Sequence, residues 1–113
     1  MIIAVDFDGT LCLDGEWPQP GRPNNKLINY LKDRQKLGDK LILWTCRTQA
    51  HLDVAVHWCE EQGLVFDAIN DNLPEIIELW GINSRKIDCD IYIDDKSVWE
   101  DVYDKYPIDG IAE

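Results

Sequence analysis

The sequence predicts an α/β fold in which a parallel sheet lies between two layers of helices. Short apolar runs alternate along the 113 residues with stretches whose apolar side chains recur at helical spacing. This alternation is typical of parallel strands joined by right-handed helical crossovers. Polar residues follow several of the apolar runs, as they do where a parallel sheet carries a site at one edge. We therefore expect a three-layer, Rossmann-like single domain spanning residues 1–113.

Four apolar runs are predicted to form the strands, over residues 2–7, 40–45, 64–69 and 89–93. Each is short and rich in Ile, Leu or Val, as buried strands of parallel sheets are. Residues 11–22 follow the first strand and contain two prolines and two glycines, which exclude a regular helix. A short flap is therefore expected after the first strand.

Helical spacing of apolar residues predicts a helix that Asn24 or Asn25 caps and that extends to about Leu37. The same spacing predicts helices over residues 49–62 and 74–80. A glycine is expected to end each of these three helices: Gly38, Gly63 and Gly81.

The last predicted helix begins after Ser97, which is expected to cap it. Val98, Trp99 and Val102 are expected to pack inward from this helix. The resulting order is strand, flap and helix, followed by three further strands that each precede a helix.

Charge and composition exclude several classes of function. The net charge of −11, from 22 acidic and 11 basic residues, repels phosphates of nucleic acids, so no nucleic-acid partner is expected. No apolar run approaches the roughly 18 residues that a membrane span needs, and no basic stretch precedes the first apolar segment, so neither a membrane anchor nor a signal peptide is expected. Four widely spaced cysteines without a C-x-x-C pair disfavour disulfides and structural zinc, and they favour the cytoplasm.

The first strand leads directly into two aspartates. Residues 2–10 read IIAVDFDGT, so Asp6 and Asp8 fall where a buried strand meets solvent. Two carboxylates this close repel each other unless a cation lies between them. A divalent cation is therefore expected, and the alternative is an Asp-Gly turn that merely closes a core strand.

Polar residues also follow the second and fourth strands. Thr45, Cys46 and Arg47 come after one, and Asp94 and Asp95 come after the other. These groups converge in one crevice if the first strand lies between the second and the fourth. The alternatives are an ordinary strand-end threonine, a surface arginine and an acidic pair that caps the last helix.

In this order, the residues resemble the motifs of the haloacid-dehalogenase (HAD)-like phosphohydrolase superfamily. The D-x-D-G-T motif of that superfamily matches Asp6 to Thr10, its strand ending in Thr or Ser matches Thr45, and its acidic pair matches Asp94 and Asp95. The likeness covers nearly the whole chain. It implies a Mg²⁺-dependent phosphatase, and neither the flap nor the segment after the third strand has room for a cap domain. The chain is therefore similar to a minimal, capless member.

The resemblance implies a role for each carboxylate. Asp6 would attack phosphorus and form an aspartyl-phosphate. Asp8 would protonate the leaving oxygen and later accept a proton from water. Mg²⁺ would bind the Asp6 carboxylate, the backbone carbonyl of Asp8 and Asp94, with Asp95 binding directly or through water.

The resemblance also implies which groups bind phosphate. The Thr45 hydroxyl and the amide of Cys46 would hold a phosphoryl oxygen, and the planar guanidinium of Arg47 suits a phosphate.

A lysine that neutralises the phosphate is the motif that departs from the superfamily pattern. It usually lies near the start of the helix before the fourth strand, and the helix here carries none. Lys86 is the candidate, but it precedes Asp94 by eight residues, about 26 Å of extended chain. Residues 82–89 would have to fold back for it to reach the site. Arg47 and Lys96 are the possible substitutes.

A capless site is open, which suits a phosphorylated small molecule or a protruding phosphate group. A lid from a second subunit is an alternative, so oligomerisation stays open. Trp17 in the flap either stacks on a substrate or packs the flap onto the body.

Two other functions stay open. The first is a HAD-fold binding protein that is inactive or weakly active, which the missing lysine favours. The second is a receiver-like module that is phosphorylated on aspartate. A receiver places its acidic pair after the first strand and its phosphorylated aspartate after the third, which is not the order found here.

Overall fold

A computed structural model describes residues 1–108. The strands within this range are β1 (Ile2–Val5), β2 (Cys12–Leu13), β3 (Arg22–Pro23), β4 (Lys40–Leu43), β5 (Ala68–Ile69) and β6 (Ile91–Ile93). The helices are α1 (Asn25–Lys36), α2 (Gln49–Glu61), α3 (Pro74–Trp80) and α4 (Val102–Lys105).

The main sheet contains four parallel strands in the order β5-β4-β1-β6. Strand β1 is central and pairs with β4 through Ile2↔Lys40 to Val5↔Leu43, and with β6 through Ile3↔Ile91 to Val5↔Ile93. The carboxyl ends of β4, β1 and β6 therefore lie side by side at one edge. This arrangement confirms the predicted α/β fold class.

Helices cover both faces of the sheet because successive strand residues point to opposite sides. Ile3 and Val5 of β1 pack with buried residues of α1, α2 and α4, whereas Ala4 packs with Ile42 and with Leu73, which precedes α3. The two apolar layers make the three-layer architecture that the alternation of elements predicts.

The helix boundaries follow local signals in the sequence. The side chain of Asn24 accepts a hydrogen bond from the Leu27 amide at the start of α1. Pro74 occupies the first turn of α3, and Gly81 ends that helix in the left-handed conformation at φ +73°. All three signals were available from the residue types alone.

The flap is a small antiparallel hairpin rather than an irregular excursion. Strands β2 and β3 pair through Cys12↔Pro23 and Leu13↔Arg22. A Cβ at Gly21 would lie 1.8 Å from the carbonyl oxygen of Leu13, so only glycine permits this close approach of the two backbones. The expected flap is present, and its strand pairing is a feature that the sequence did not reveal.

The third predicted strand, over residues 64–69, is shorter than expected. Only Ala68 and Ile69 pair with β4, whereas the Leu64 amide bonds back to the carbonyl of Cys59 at the end of α2. Leu64 is buried because it covers the end of that helix, not because it belongs to the sheet.

The predicted start of the last helix is also wrong. The Ser97 hydroxyl donates to the carbonyl of Asp94 and closes a turn, so it does not cap a helix. Val98 is 92% exposed, contrary to the expectation that it packs inward, while Trp99 and Val102 do contact the core. Helix α4 begins only at Val102.

All four cysteines are free, as expected from their spacing. Within residues 1–108, no helix has the length and apolar character needed to cross a membrane.

Candidate active site

The candidate site lies at the carboxyl edge of the main sheet. Asp6 comes directly after β1, Thr45 comes two residues after the end of β4, and Asp94 comes directly after β6. The Asp6 amide donates to the carbonyl of Ile93 at 2.8 Å, so the backbone of β1 stays tied to β6 up to the first aspartate. The sheet order therefore brings together the three strand ends that the sequence marked.

Three carboxylates form a compact group at this edge, which we call the acidic cluster: Asp6, Asp94 and Asp95. One oxygen from each lies within 4.8 Å of the others. Asp6 and Asp94 are partly buried, and Asp95 is exposed. Three hard oxygen donors from neighbouring strand ends are a suitable set for Mg²⁺.

Gly9 makes room for the acidic cluster. A Cβ at this position would lie 2.7 Å from Oδ2 of Asp95, and the residue has a φ of +77°. Any other residue would therefore displace Asp95 and strain the backbone. The glycine of the D-x-D-G-T motif is thus required by the position of a carboxylate at the end of a different strand.

Electrostatic strain is concentrated on Asp6. Burial, together with the negative charges of Asp94 and Asp95, raises its pKa to about 6. Hydrogen bonds from the Phe7 backbone and from the Thr10 hydroxyl, at 3.3 Å from Oδ2, oppose the rise without cancelling it. The pKa of Asp95 is also raised, by burial and by Asp94. A cation within this group would relieve the repulsion.

Asp8 has a different environment, although it is separated from Asp6 by a single residue. Both of its carboxylate oxygens accept hydrogen bonds from Arg47, from Nε and from Nη2, each at 2.8 Å. The arginine side chain is 0% exposed, while that of Asp8 is 44% exposed. The Asp8 side chain therefore forms a two-pronged ion pair with Arg47 and is not part of the acidic cluster.

Aromatic rings hold this arginine from both sides. The guanidinium carbon of Arg47 lies 5.0 Å from the centre of the Phe7 ring and 4.6 Å from that of Trp17 in the flap. Its Nη1 also donates to the carbonyl of His51 at 3.3 Å. Burial between two rings and a carboxylate fixes its orientation. Trp17 thus packs the flap onto the body, one of the two roles expected for it.

Thr45 and Cys46 form the turn that leads to Arg47. The Thr45 hydroxyl accepts from the Arg47 amide at 3.1 Å, and Cys46 is exposed beside it. The side chain of Asn70 fastens this turn, because its oxygen accepts from the Thr45 amide at 2.8 Å and its nitrogen donates to the Arg47 carbonyl at 3.2 Å.

Sequence reasoning missed Asn70. Its only signal is its position directly after Ile69, at the carboxyl end of β5.

The two candidate lysines lie in different places. The Lys96 amide donates to Oδ1 of Asp94 at 2.9 Å, and its charge lowers the pKa of Asp95 against the larger effects that raise it. The Lys86 carbonyl accepts from the side chain of Asn72 at 3.1 Å, and its own side chain is exposed beside α3. Within the described residues, neither lysine forms an ion pair with the acidic cluster.

Of the site residues predicted from the sequence, the structure brings Asp6, Asp94 and Asp95 into one group. It pairs Asp8 with Arg47, so the guanidinium that was expected to meet phosphate lies against a carboxylate instead. The phosphate-binding roles of Thr45, Cys46, Arg47 and Lys86 stay predictions.

Comparison with known proteins gives a relative but no activity. No protein-family model matches the sequence, and no curated protein does. A solved structure of a conserved protein from Bacteroides thetaiotaomicron is 38% identical to this chain, with a TM-score of 0.77, and the match covers 93% of this chain and 91% of that one. The chain therefore belongs to the same family as this conserved Bacteroides protein.

Proposed function

We propose that this protein is a Mg²⁺-dependent phosphohydrolase of the HAD-like superfamily, acting on phosphate monoesters through an aspartyl-phosphate. The acidic cluster is the observation that carries the proposal. Asp6, Asp94 and Asp95 come from two neighbouring strand ends, and their oxygens lie within 4.8 Å of one another. The match of Asp6 to Thr10 with the D-x-D-G-T motif supports the assignment.

The first step transfers the phosphoryl group to the protein. An oxygen of Asp6 forms a bond to phosphorus while the bond between phosphorus and the ester oxygen breaks. Asp8 donates a proton to the departing oxygen, which leaves as an alcohol. For this donation, Asp8 must be protonated when substrate is bound. A substrate oxygen then replaces part of the contact between Asp8 and Arg47.

The second step releases phosphate. Water attacks the phosphorus of the aspartyl-phosphate and gives a proton to Asp8, and the bond to the Asp6 oxygen breaks. Asp6 and Asp8 return to their starting states, so the cycle needs no further reactant. The Thr45 hydroxyl and the amide of Cys46 would hold a phosphoryl oxygen through both steps.

The acidic cluster would hold the magnesium ion. Asp6, Asp94 and Asp95 supply oxygen donors, and the gap beside Gly9 leaves Asp95 free to turn toward them. A Mg²⁺ ion held there would lower the repulsion between the attacking carboxylate and the phosphate.

Arg47 acts on the reaction through Asp8. Its fork holds both carboxylate oxygens, and its burial between Phe7 and Trp17 prevents it from turning away. This contact aims Asp8 at the leaving oxygen. We therefore assign Arg47 as a positioning residue, in place of the direct phosphate contact expected from sequence.

The same proposal includes the setting in which the enzyme works. The free cysteines favour a reducing compartment, and we propose the cytoplasm. The absence of room for a cap leaves the site open to a phosphorylated small molecule or to a protruding phosphate group.

Hydrolysis of p-nitrophenyl phosphate by the purified protein tests the proposal. Turnover should require Mg²⁺, and Asp6→Asn should lower kcat by more than about 1,000-fold because it removes the nucleophile. Asp104→Asn makes the same chemical change at an exposed position of α4 and should leave kcat within about two-fold. Turnover that survives Asp6→Asn would contradict the mechanism.

One observation favours a second candidate, a binding protein of the same fold with little or no turnover. Both oxygens of Asp8 accept a hydrogen bond from Arg47, so the expected acid is already engaged in an ion pair in this structure. Such a protein would bind inorganic phosphate in the presence of Mg²⁺, measurable by calorimetry, and would hydrolyse no ester in a broad panel of phosphates.

A further inference from the structure

A cavity of about 360 Å³ lies between the flap and the end of β1. Asp8 and Gly9 line it together with residues of the flap, among them Asp14, Trp17 and Gln19. The volume is near the lower end of the ~300–1,000 Å³ of small-molecule pockets. It therefore has room for a single ring.

This cavity adjoins the proposed reaction centre. Gly9 separates it from the acidic cluster, because the same residue lines the cavity and approaches Oδ2 of Asp95. Asp8, which donates the proton to the leaving oxygen in the proposed mechanism, faces the cavity. A substrate with its phosphorus beside Asp6 would consequently place its leaving group here.

The walls of the cavity carry no available positive charge. None of its lining residues is basic. The nearest arginines are already engaged: Arg47 is buried against Asp8, and Nε of Arg22 lies 2.7 Å from Oδ2 of Asp14. The two lining carboxylates, Asp8 and Asp14, are bonded to these arginines, so a second anionic group on the substrate would find no free cation to pair with.

Trp17 and Gln19 offer contacts of another kind. Trp17 is 63% exposed even though its ring contacts both Arg47 and the ring of His51, so part of the indole surface remains open for a flat, apolar group. Gln19 adds an amide that can bond to a hydroxyl or ether oxygen. These contacts suit an uncharged ring.

We infer that the substrates are phosphate monoesters whose leaving group is a single uncharged ring, and that the flap excludes esters bearing a second anionic group. This inference rests on the proposed function, because it takes Asp8 as the group beside the leaving oxygen. It goes beyond that function by naming a charge rule for the substrate and the residues that set it.

Phenyl phosphate and 4-carboxyphenyl phosphate form a matched pair for the test, since they differ by one carboxylate. We expect kcat/KM to be about ten-fold higher for the uncharged ester, as expected for one unit charge in a partly solvated site. Gln19→Lys places a cation on the cavity wall and should shift the ratio of the two kcat/KM values about ten-fold toward the carboxylated ester.

Two controls isolate the local charge. Gln19→Met removes the amide without adding charge and should not shift the ratio toward the carboxylated ester. Gln62→Lys adds the same charge at the C-terminal end of α2 and should keep the wild-type ratio. Equal kcat/KM values for the two esters in the wild type, or equal shifts in Gln19→Lys and Gln62→Lys, would overturn the inference.

Binding of phenylphosphonate and 4-carboxyphenylphosphonate, measured by calorimetry with Mg²⁺, separates this inference from the proposed function. These compounds cannot be hydrolysed as esters. Absence of all turnover together with tighter binding of phenylphosphonate would refute the phosphohydrolase and support the charge rule. Binding of neither compound, or equal binding of both, would refute the charge rule.

Discussion

Asp6 and Asp8 flank Phe7 in the sequence, yet the acidic cluster and the Asp8–Arg47 pair give these two carboxylates opposite environments. In the cluster, Asp6 lies near two other carboxylates, and its pKa rises to about 6 through burial and their repulsion. Asp8 instead has a buried guanidinium on both oxygens. Among the described residues, no side-chain cation forms an ion pair with the acidic cluster, whereas Asp8 has a cation supplied by the chain itself.

Three measurements can break or sharpen this contrast. They address Mg²⁺ binding at the acidic cluster, the removal of Arg47 and the repulsion on Asp6, in decreasing order of the expected change in the free energy of unfolding.

Addition of Mg²⁺ should give the largest effect, because a ligand that binds only the folded cluster stabilises it by mass action. At a Mg²⁺ concentration 100 times its Kd, the free energy of unfolding should rise by about 2.7 kcal/mol. For a domain of this size the Tm should then rise by roughly 10 °C, which scanning fluorimetry measures. Asp94→Asn should remove most of this rise, whereas Asp104→Asn should keep it. Equal rises in both variants would show that Mg²⁺ binds elsewhere.

Removal of the Arg47 guanidinium should have the next largest effect. Arg47→Met keeps an apolar side chain between Phe7 and Trp17 but leaves Asp8 without its partner. Loss of a fully buried ion pair costs about 3–5 kcal/mol, and the exposure of Asp8 to water reduces this to about 2 kcal/mol. Urea unfolding measures the change. Because the aim of Asp8 is lost, kcat should fall by about 100-fold while KM changes little.

Arg22→Met is the matched control, since it breaks another Arg–Asp pair in which both side chains are mostly exposed. Its expected loss of stability is below about 1 kcal/mol. Arg47→Lys should recover part of kcat because it returns a charge without the two-pronged fork. If Arg47→Met and Arg22→Met destabilise the protein equally, burial does not strengthen the Asp8 pair.

Much of the fold could be predicted because its signals are local. Pro74 and Gly81 bracket α3, and Gly63 lies just past the end of α2, so residue types alone gave these boundaries to within one or two positions. Leu64 misled the prediction because a buried apolar residue looks the same whether it covers a helix end or pairs in a sheet. The two-residue strands of the flap were too short to show a periodicity.

The acidic cluster and the Asp8–Arg47 pair also differ in how far the sequence predicts them. The positions of Asp6 and Asp94 followed from strand order, because parallel strands deliver their ends to one edge. The Asp8–Arg47 contact joins residues 39 apart in sequence and depends on the rotamers of Phe7 and Trp17. No local pattern encodes this contact, so nothing in the sequence indicated that Arg47 pairs with Asp8.

The repulsion on Asp6 should give the smallest effect, visible in the pH dependence of stability without Mg²⁺. Its pKa is about 6 in the folded protein, against 3.8 as the ordinary value, so the folded state binds more protons than the unfolded state between these values. The contribution of Asp6 to stability therefore falls as pH rises from about 4 to 6. Because Asp6 is only partly buried, solvent screening limits the change to about 1 kcal/mol.

Asp6→Asn should remove this fall and make the metal-free protein more stable at pH 7 by about 1 kcal/mol, even though it abolishes turnover. Urea unfolding at pH 4.5 and pH 7 in a chelator, compared between wild type and variant, isolates Asp6 from the other carboxylates. Asp39 contributes in the opposite sense: burial alone would raise its pKa, but its bonds to the N-terminus and Arg34 outweigh burial and lower it. A variant that is less stable than the wild type at pH 7 would mean that Asp6 is held by favourable contacts, and the contrast with Asp8 would disappear.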